Sequence, residues 1–359
     1  MATKPGLVVL FGSGEASPEG RPIHEYVARQ IRPPIRASVL ETPAGFEVNS
    51  PAVAGKLASF VEVQLQSHRP VVTVVPARRR AGPDDPESTD NPSVLAPLLR
   101  ANYLVMGPGS PSYVVRQLAD SLAWRYVVAR HRLGYPLVFA SAVAIAIGRY
   151  ALPVYEIYKA GEDLHWKAGL DLLGPFGVSA VIVPHWDNTD GGADLDTSRC
   201  FMSKQRFARL LEMLPAETAV VGIDEKTALV LDPEHATGRV MGRGTVTVIR
   251  HGEARVHERH SPIDLRDLGD WRLPEPSEGL PAEVWAAATA VERSARAEVL
   301  PEIPPEVRQL AEAHTAAREA RDYAESDRLR RAIADLGWKL SDTRDGYELR
   351  PLDGRAAVA

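Results

Sequence analysis

The chain has 359 residues, 45% of them hydrophobic and 25% charged, with a formal net charge of −5. That length supports one large domain plus a smaller unit, and so mild a charge supplies no overall basic field for nucleic acid or anionic lipid. The lone cysteine, Cys200, excludes an internal disulfide and a multi-cysteine zinc site.

In chain order, short apolar runs come first, at residues 7–11, 37–40, 71–75, 103–106, 137–140 and 181–183. They are near-continuous rather than alternating, which predicts a mostly parallel sheet sandwiched by helices, an α/β fold. The first run is too short for a signal core or a membrane span, so a soluble, cytoplasmic protein without membrane association is expected. A crossover helix is predicted over residues 112–130. A second group of strands follows at 219–223, 228–231, 245–250 and 254–257. The stretches Gly242-Arg243-Gly244 and His251-Gly252-Glu253 read as hairpin punctuation, so this end is expected to be antiparallel.

The composition changes after about residue 260. Residues 261–279 are rich in Pro, Asp and Gly and read as a surface linker. Pro281 opens a helix to about Val299, which Pro301, Pro304 and Pro305 break. From 306 to 336 a helical hairpin is predicted, ended by Gly337 and followed by a strand-like tail. The expected division is therefore 1–260 for the α/β domain, 261–305 for a linker with one helix, and 306–359 for the tail.

Four segments could carry chemistry. Ser141 stands where the buried strand 137–140 enters an apolar helix, a position that exposes a hydroxyl beside free backbone N–H groups. Gly107-Pro108-Gly109-Ser110 forms another loop at a strand end. His185 follows the run 181–183, and Asp224 and Glu225 lie between two apolar strands. Taken singly, each has a plain structural reading: a helix cap, a tight turn, a structural imidazole and a charged turn.

Together and in this order, the segments resemble the family of dipeptidase E and cyanophycinase, serine peptidases on a fold like that of class-I glutamine amidotransferases. The marks are Gly12-Ser13-Gly14-Glu15, Gly107-Pro108-Gly109, Ser141-Ala142-Val143-Ala144, His185 and Ile223-Asp224-Glu225-Lys226-Thr227-Ala228, spread over residues 7–250. The resemblance implies Ser141 as nucleophile, His185 as general base and Glu225 as the acid orienting the imidazole, with Asp224 as the alternative acid. It further implies an oxyanion site at the N–H groups of Gly109 and Ala142, and substrate contacts at Ser110, Trp186 and Asn188. Chemically, a serine hydroxyl needs a base to take its proton, and the base needs a carboxylate to fix its tautomer.

The substrate implied is a small peptide or amide, and no cofactor or metal is called for. Phe139 and Val143 replace the family's elbow glycines, which motivates a second reading: a non-catalytic binding or regulatory protein on a decayed hydrolase fold. The acidic loop 187–196 supplies carboxylates for a hard cation but lacks EF-hand spacing, and reads rather as a solvated lid. Gly12-Ser13-Gly14 lacks the third glycine of a dinucleotide fingerprint, and a glutamine amidotransferase proper would carry cysteine at residue 141.

The tail has its own resemblance. The run from Ala316 to Arg330, then Leu336-Gly337-Trp338 and Ser341-Asp342-Thr343-Arg344-Asp345-Gly346, is similar to the C-terminal helical segment of cysteinyl-tRNA synthetases. Phe201-Met202-Ser203-Lys204-Gln205 echoes a synthetase loop, yet no His-x-Gly-His motif exists and one cysteine cannot supply that enzyme's zinc ligands. The tail's mixed charge suits protein docking better than phosphate binding, while tRNA contact and a homodimer stay open.

Overall fold

A computed structural model of the chain describes residues 4–299, 303–343 and 346–352. It divides into two compact units, Met1–Thr289 and Ala290–Ala359.

The strands of the larger unit are β1 (Val8–Phe11), β2 (Arg36–Leu40), β3 (Val71–Val75), β4 (Tyr103–Met106), β5 (Leu137–Ala140), β6 (Tyr150–Ala151) and β7 (Lys167–Ala168), then β8 (Ala180–Val183), β9 (Ala219–Ile223), β10 (Thr227–Asp232), β11 (Thr237–Gly242), β12 (Val246–Arg250), β13 (Glu253–His257) and β14 (Pro262–Asp264). Its helices are α1 (Arg21–Ala28), α2 (Ser50–Gln64), α3 (Ala96–Arg100), α4 (Pro111–Leu118), α5 (Leu122–Arg132), α6 (Ala142–Ala146), α7 (Val154–Tyr158) and α8 (Ser203–Glu212); the division falls within α9 (Ala282–Val299). The main sheet has eight strands in the order β14-β11-β10-β1-β5-β4-β2-β3. Its β1, β5, β4, β2 and β3 run parallel, and β10, β11 and β14 extend it antiparallel. The α/β architecture is the one expected.

Two-sided burial explains the unbroken apolar strands. Val8 and Leu10 of β1 enter one core cluster while Val9 and Phe11 enter the other, and Phe139 and Val138 of β5 divide likewise. At about 25 cal/mol per Å2, such burial is the main favourable term holding the layers together.

Several local expectations are corrected. The run 181–183 belongs to a second sheet, β13-β12-β9-β8, in which β8 and β9 are parallel. A strand buried on both faces has the same sequence signature in either sheet. The stretch 242–244 is not a hairpin turn, because β11 and β12 lie in different sheets; the turn at 251–252 is one. The helix expected over 112–130 is two helices, α4 and α5. Asp120 adopts a left-handed φ of 61° between them, and Ser121 Oγ accepts from Trp124 N to cap the second. Residues 261–279 are no simple linker. There β14 pairs with β11, and Ile263, Leu265 and Leu268 join the core.

The smaller unit pairs α10 (Pro305–Glu319) with α11 (Tyr323–Asp335) and a hairpin of β15 (Trp338–Thr343) and β16 (Gly346–Pro351). Its core contains Val307, Ala311, Ile333, Trp338, Leu340 and Leu349. Asp342 binds Arg318 and Arg330, each at 2.6 Å. The break assigned to Pro301 and the pair Arg344-Asp345 lie outside the described residues.

Candidate active site

Ser141 follows β5 with φ 50° and ψ −110°, a sparsely populated conformation for a residue with a Cβ. Such backbone strain costs on the order of 1–3 kcal/mol and persists where surrounding packing enforces it. Packing does so here: Phe139 and Val143 are fully buried in the same core cluster. The bulk that replaces the elbow glycines therefore points into hydrocarbon. Ser141 makes no capping hydrogen bond to α6; its Oγ lies 3.2 Å from His185 Nε2.

His185 follows β8 with φ 51°, its N–H donating to Gly12 O at 3.2 Å. A Cβ on Gly12 would stand 2.1 Å from Asp224 O, so glycine is what lets the β1 end reach the acidic turn. Behind His185, Arg199, Cys200 and Phe201 are successive left-handed residues, and Cys200 N–H donates to His185 O at 3.1 Å. Burial pushes the Cys200 thiol up to about 12, so it is inert at neutral pH.

The imidazole Nδ1 lies 2.9 Å from Glu225 Oε1, and Asn188 Nδ2 donates to the same oxygen at 3.0 Å. A carboxylate only accepts, so Nδ1 carries the proton and Nε2 is left to accept from Ser141. The hydrogen bond from His185, then that from Asn188, holds the Glu225 carboxyl below its usual range against the opposing effect of burial. Asp224 is turned elsewhere: its Oδ2 accepts from Thr245 N and Oγ1, both at 2.8 Å. Of the two acids, Glu225 alone bonds the ring.

Lowered carboxyl pKa values stabilise above the ordinary value, and that stabilisation is lost as pH falls through the lowered one. Asn188→Ala removes one donor and raises the Glu225 pKa. The acid limb of any pH–rate or pH–labelling profile at Ser141 should therefore move to higher pH, with about a tenfold or smaller loss at neutrality. An unshifted limb would remove Asn188 from this role.

Other sequence-predicted residues part ways. Gly109 closes the loop after β4, beside β5 in register, and a Cβ there would fall 1.7 Å from Pro43 O. Among the described residues, the N–H groups of Gly109 and Ala142 have no protein acceptor. Ser110 Oγ accepts from Tyr113 N and caps α4, which leaves its O–H free to donate. Trp186 is not a surface substrate contact. It is 4% exposed, packed edge-on against Phe207 and stacked beneath Arg199. Asn188, 3% exposed, serves Glu225 instead.

Two carboxylates of the acidic loop are engaged by backbone N–H groups outside it. Asp187 accepts from Glu225 N, and Asp196 from Ser198 N and Lys204 N. Among the described residues, no group of three or more His, Cys, Asp or Glu side chains could hold a metal ion, and no helix is long and apolar enough to cross a membrane. Sequence reasoning missed an open cleft of about 700 Å3 lined by Phe46, Ser110, Tyr113, Arg116, Tyr155 and Lys159 among others. It also missed Phe201, whose ring lies 6.5 Å from that of His185 and 5.1 Å from that of Tyr158. Their aromatic character was the available signal, but residues 158, 185 and 201 meet only through the fold.

No protein-family model matches the chain. Over 50 residues, 14% of this chain, it is 50% identical to a Cysteine--tRNA ligase of Opitutus terrae, of whose length that covers 11%. The chain thus spans about a tenth of the curated relative it matches. Among solved structures, a peptidase from an acI-B1 Actinobacterium superimposes with a TM-score of 0.57 at 20% identity, covering 74% of this chain and 98% of that one. At that identity the likeness is one of fold, and it extends over nearly the whole of the actinobacterial protein.

Proposed function

We propose that the protein is a serine-type hydrolase of an amide or peptide bond. The single supporting observation is the unbroken chain Ser141 Oγ–His185 Nε2, His185 Nδ1–Glu225 Oε1, at 3.2 and 2.9 Å. In this reading Ser141 Oγ attacks the scissile carbonyl carbon while His185 Nε2 takes the hydroxyl proton. The carbonyl oxygen becomes an oxyanion facing the N–H groups of Gly109 and Ala142. Collapse breaks the C–N bond, His185 protonates the leaving amine, and an acyl-serine remains. Water, deprotonated by His185, then releases the acid and restores the hydroxyl. Glu225 keeps its negative charge throughout and stabilises the transient imidazolium. Labelling by a fluorophosphonate tests the reading directly, since phosphonylation must map to Ser141. Labelling elsewhere, or none, would remove it.

We propose, as a second and separable reading, that the tail contacts tRNA; its resemblance to the C-terminal segment of cysteinyl-tRNA synthetases and a 50-residue match to a Cysteine--tRNA ligase support this. Filter retention of tRNA should be lost when the chain ends before Pro305; equal retention by both forms would dismiss it.

A further inference from the structure

The open cleft has two walls, and each leads back to the proposed reacting groups. One wall is the segment after β2 together with the start of α4. There Ser110, a cleft residue, donates its N–H to Pro43 O at 3.2 Å, and it directly follows Gly109 of the oxyanion site. The other wall is α7. Its Tyr158 ring lies 5.1 Å from that of Phe201, which in turn lies 6.5 Å from that of His185. At about 700 Å3 the cleft has the size of an ordinary ligand pocket, and it opens next to where a scissile bond would lie.

The first wall is fixed from behind. Buried Glu41 accepts from Ser50 Oγ and Arg78 Nε, both at 2.6 Å, and Tyr113 Oη donates to Arg78 O at 3.0 Å. These bonds hold residues 41–46 and Tyr113 in one arrangement, a preformed surface. On it the rings of Phe46 and Tyr113 meet at 5.3 Å, tilted by 53°. Tyr155 joins them from α7. Phe46 is 49% exposed and Tyr155 41%. A single exposed ring needs no explanation, but only 6% of the chain is aromatic and three rings line this one cleft.

The charges of the cleft favour the same guest. Arg116 Cζ lies 5.1 Å from the centre of the Tyr113 ring, and Lys159 Nζ lies 5.3 Å from that of Tyr155. Glu156 is engaged by Lys167 at 3.1 Å, and among the described residues no ion pair holds Arg116 or Lys159. Ring faces attract ring edges, and cations attract ring faces. An aromatic guest gains from both, a saturated one from neither.

We propose that this cleft is a substrate subsite for an aromatic ring, seated against Phe46 and Tyr155 within reach of the Arg116 and Lys159 cations. The substrate class is then a peptide or amide with an aromatic side chain close to the bond cut. This assignment rests on the serine-hydrolase reading and deepens it. None of these residues takes part in bond making; they select by ring character.

The test uses N-acetylphenylalanine amide and N-acetylcyclohexylalanine amide, nearly equal in size, as competitors of fluorophosphonate labelling on the full chain. The phenyl compound should halve the labelling rate at Ser141 at about a fivefold lower concentration, the scale of an aromatic contact beyond shared burial. Phe46→Leu and Tyr155→Leu, one on each wall, keep apolar bulk and should each bring the two compounds level, with an unchanged melting temperature as the check on folding. A second arm needs no nucleophile. In Ser141→Ala, saturation-transfer NMR should light up the ring protons of the phenyl compound, and adding Phe46→Leu should weaken that signal. Equal or better protection by the cyclohexyl compound, or a phenyl preference that survives both substitutions, would overturn the subsite. Ring saturation without protection of Ser141 would overturn its place beside the scissile bond. Failure of the fluorophosphonate to label Ser141 would instead defeat the hydrolase reading, with ring saturation still reporting on the cleft, so the two failures are told apart.

Discussion

Ser141→Ala is expected to abolish fluorophosphonate labelling and to lower turnover of any substrate found by about 10^4-fold or more, with little loss of stability. The variant removes one hydrogen bond at 3.2 Å to a half-buried ring, about 1 kcal/mol at most, and keeps the methylene that packs the turn. His185→Ala should cost a similar factor, because an unactivated hydroxyl is nearly as poor as none. The double variant should then be no worse than either single one, since the pair acts as a unit. Glu225→Gln keeps the shape but offers no charge to the imidazolium, and should fall short of those losses while still exceeding about 10^2-fold. Asp224→Asn is the contrasting control. It weakens bonds to Thr245 and should show first as a lowered melting temperature, with labelling at Ser141 retained. Measured Ser141 labelling rates within tenfold of wild type in His185→Ala would contradict the triad.

The proposed site was legible in outline because its parts carry local signatures: an apolar strand running into Ser141 and small residues, a histidine closing another apolar run, and Ile223-Asp224-Glu225-Lys226-Thr227-Ala228. What spacing could not decide was which way neighbouring side chains turn. Asp224 and Glu225 are adjacent in a turn, and their carboxylates diverge, one to Thr245 and the other to His185. Trp186 sits next to the histidine in sequence, yet the backbone turn sends its ring under Arg199 into the core. Ser110 follows the glycine loop, and its Oγ also caps the start of α4. At the level of the fold, the polar text of residues 261–279 masked Ile263, Leu265 and Leu268, three scattered apolar residues that only a sheet edge and core could bring together. Asn188, expected to contact substrate, instead donates to Glu225, a role that its place in the sequence did not signal.

Lowering the pH from 7 to 5 is expected to destabilise the larger unit through two histidines outside the triad. Burial lowers His24 to about 4, and burial, with help from the Arg132 charge, lowers His131 to about 3. Both are neutral in the fold, where each Nε2–H donates to a backbone carbonyl, Glu15 O for His24 and Gly6 O for His131. In the unfolded chain both titrate near the ordinary value of 6.5. Below that pH the unfolded state binds protons that the folded state refuses, so stability falls as the pH drops through 6.5 and continues to fall until the lowered values are reached. Each histidine should then cost about 2 kcal/mol by pH 5, about 4 kcal/mol together. The raised carboxyls of Glu15, Asp171 and Asp224 oppose this, because burial makes their protonation favourable to the folded state. A difference measurement removes that opposition. His131→Gln retains an N–H donor for Gly6 O but does not titrate, and its urea midpoint should change less between pH 7 and 5 than that of the wild type, by the equivalent of about 2 kcal/mol. Parallel curves for the two proteins would mean that His131 accepts its proton in the folded state, and that the core around it is wetter than its packing implies.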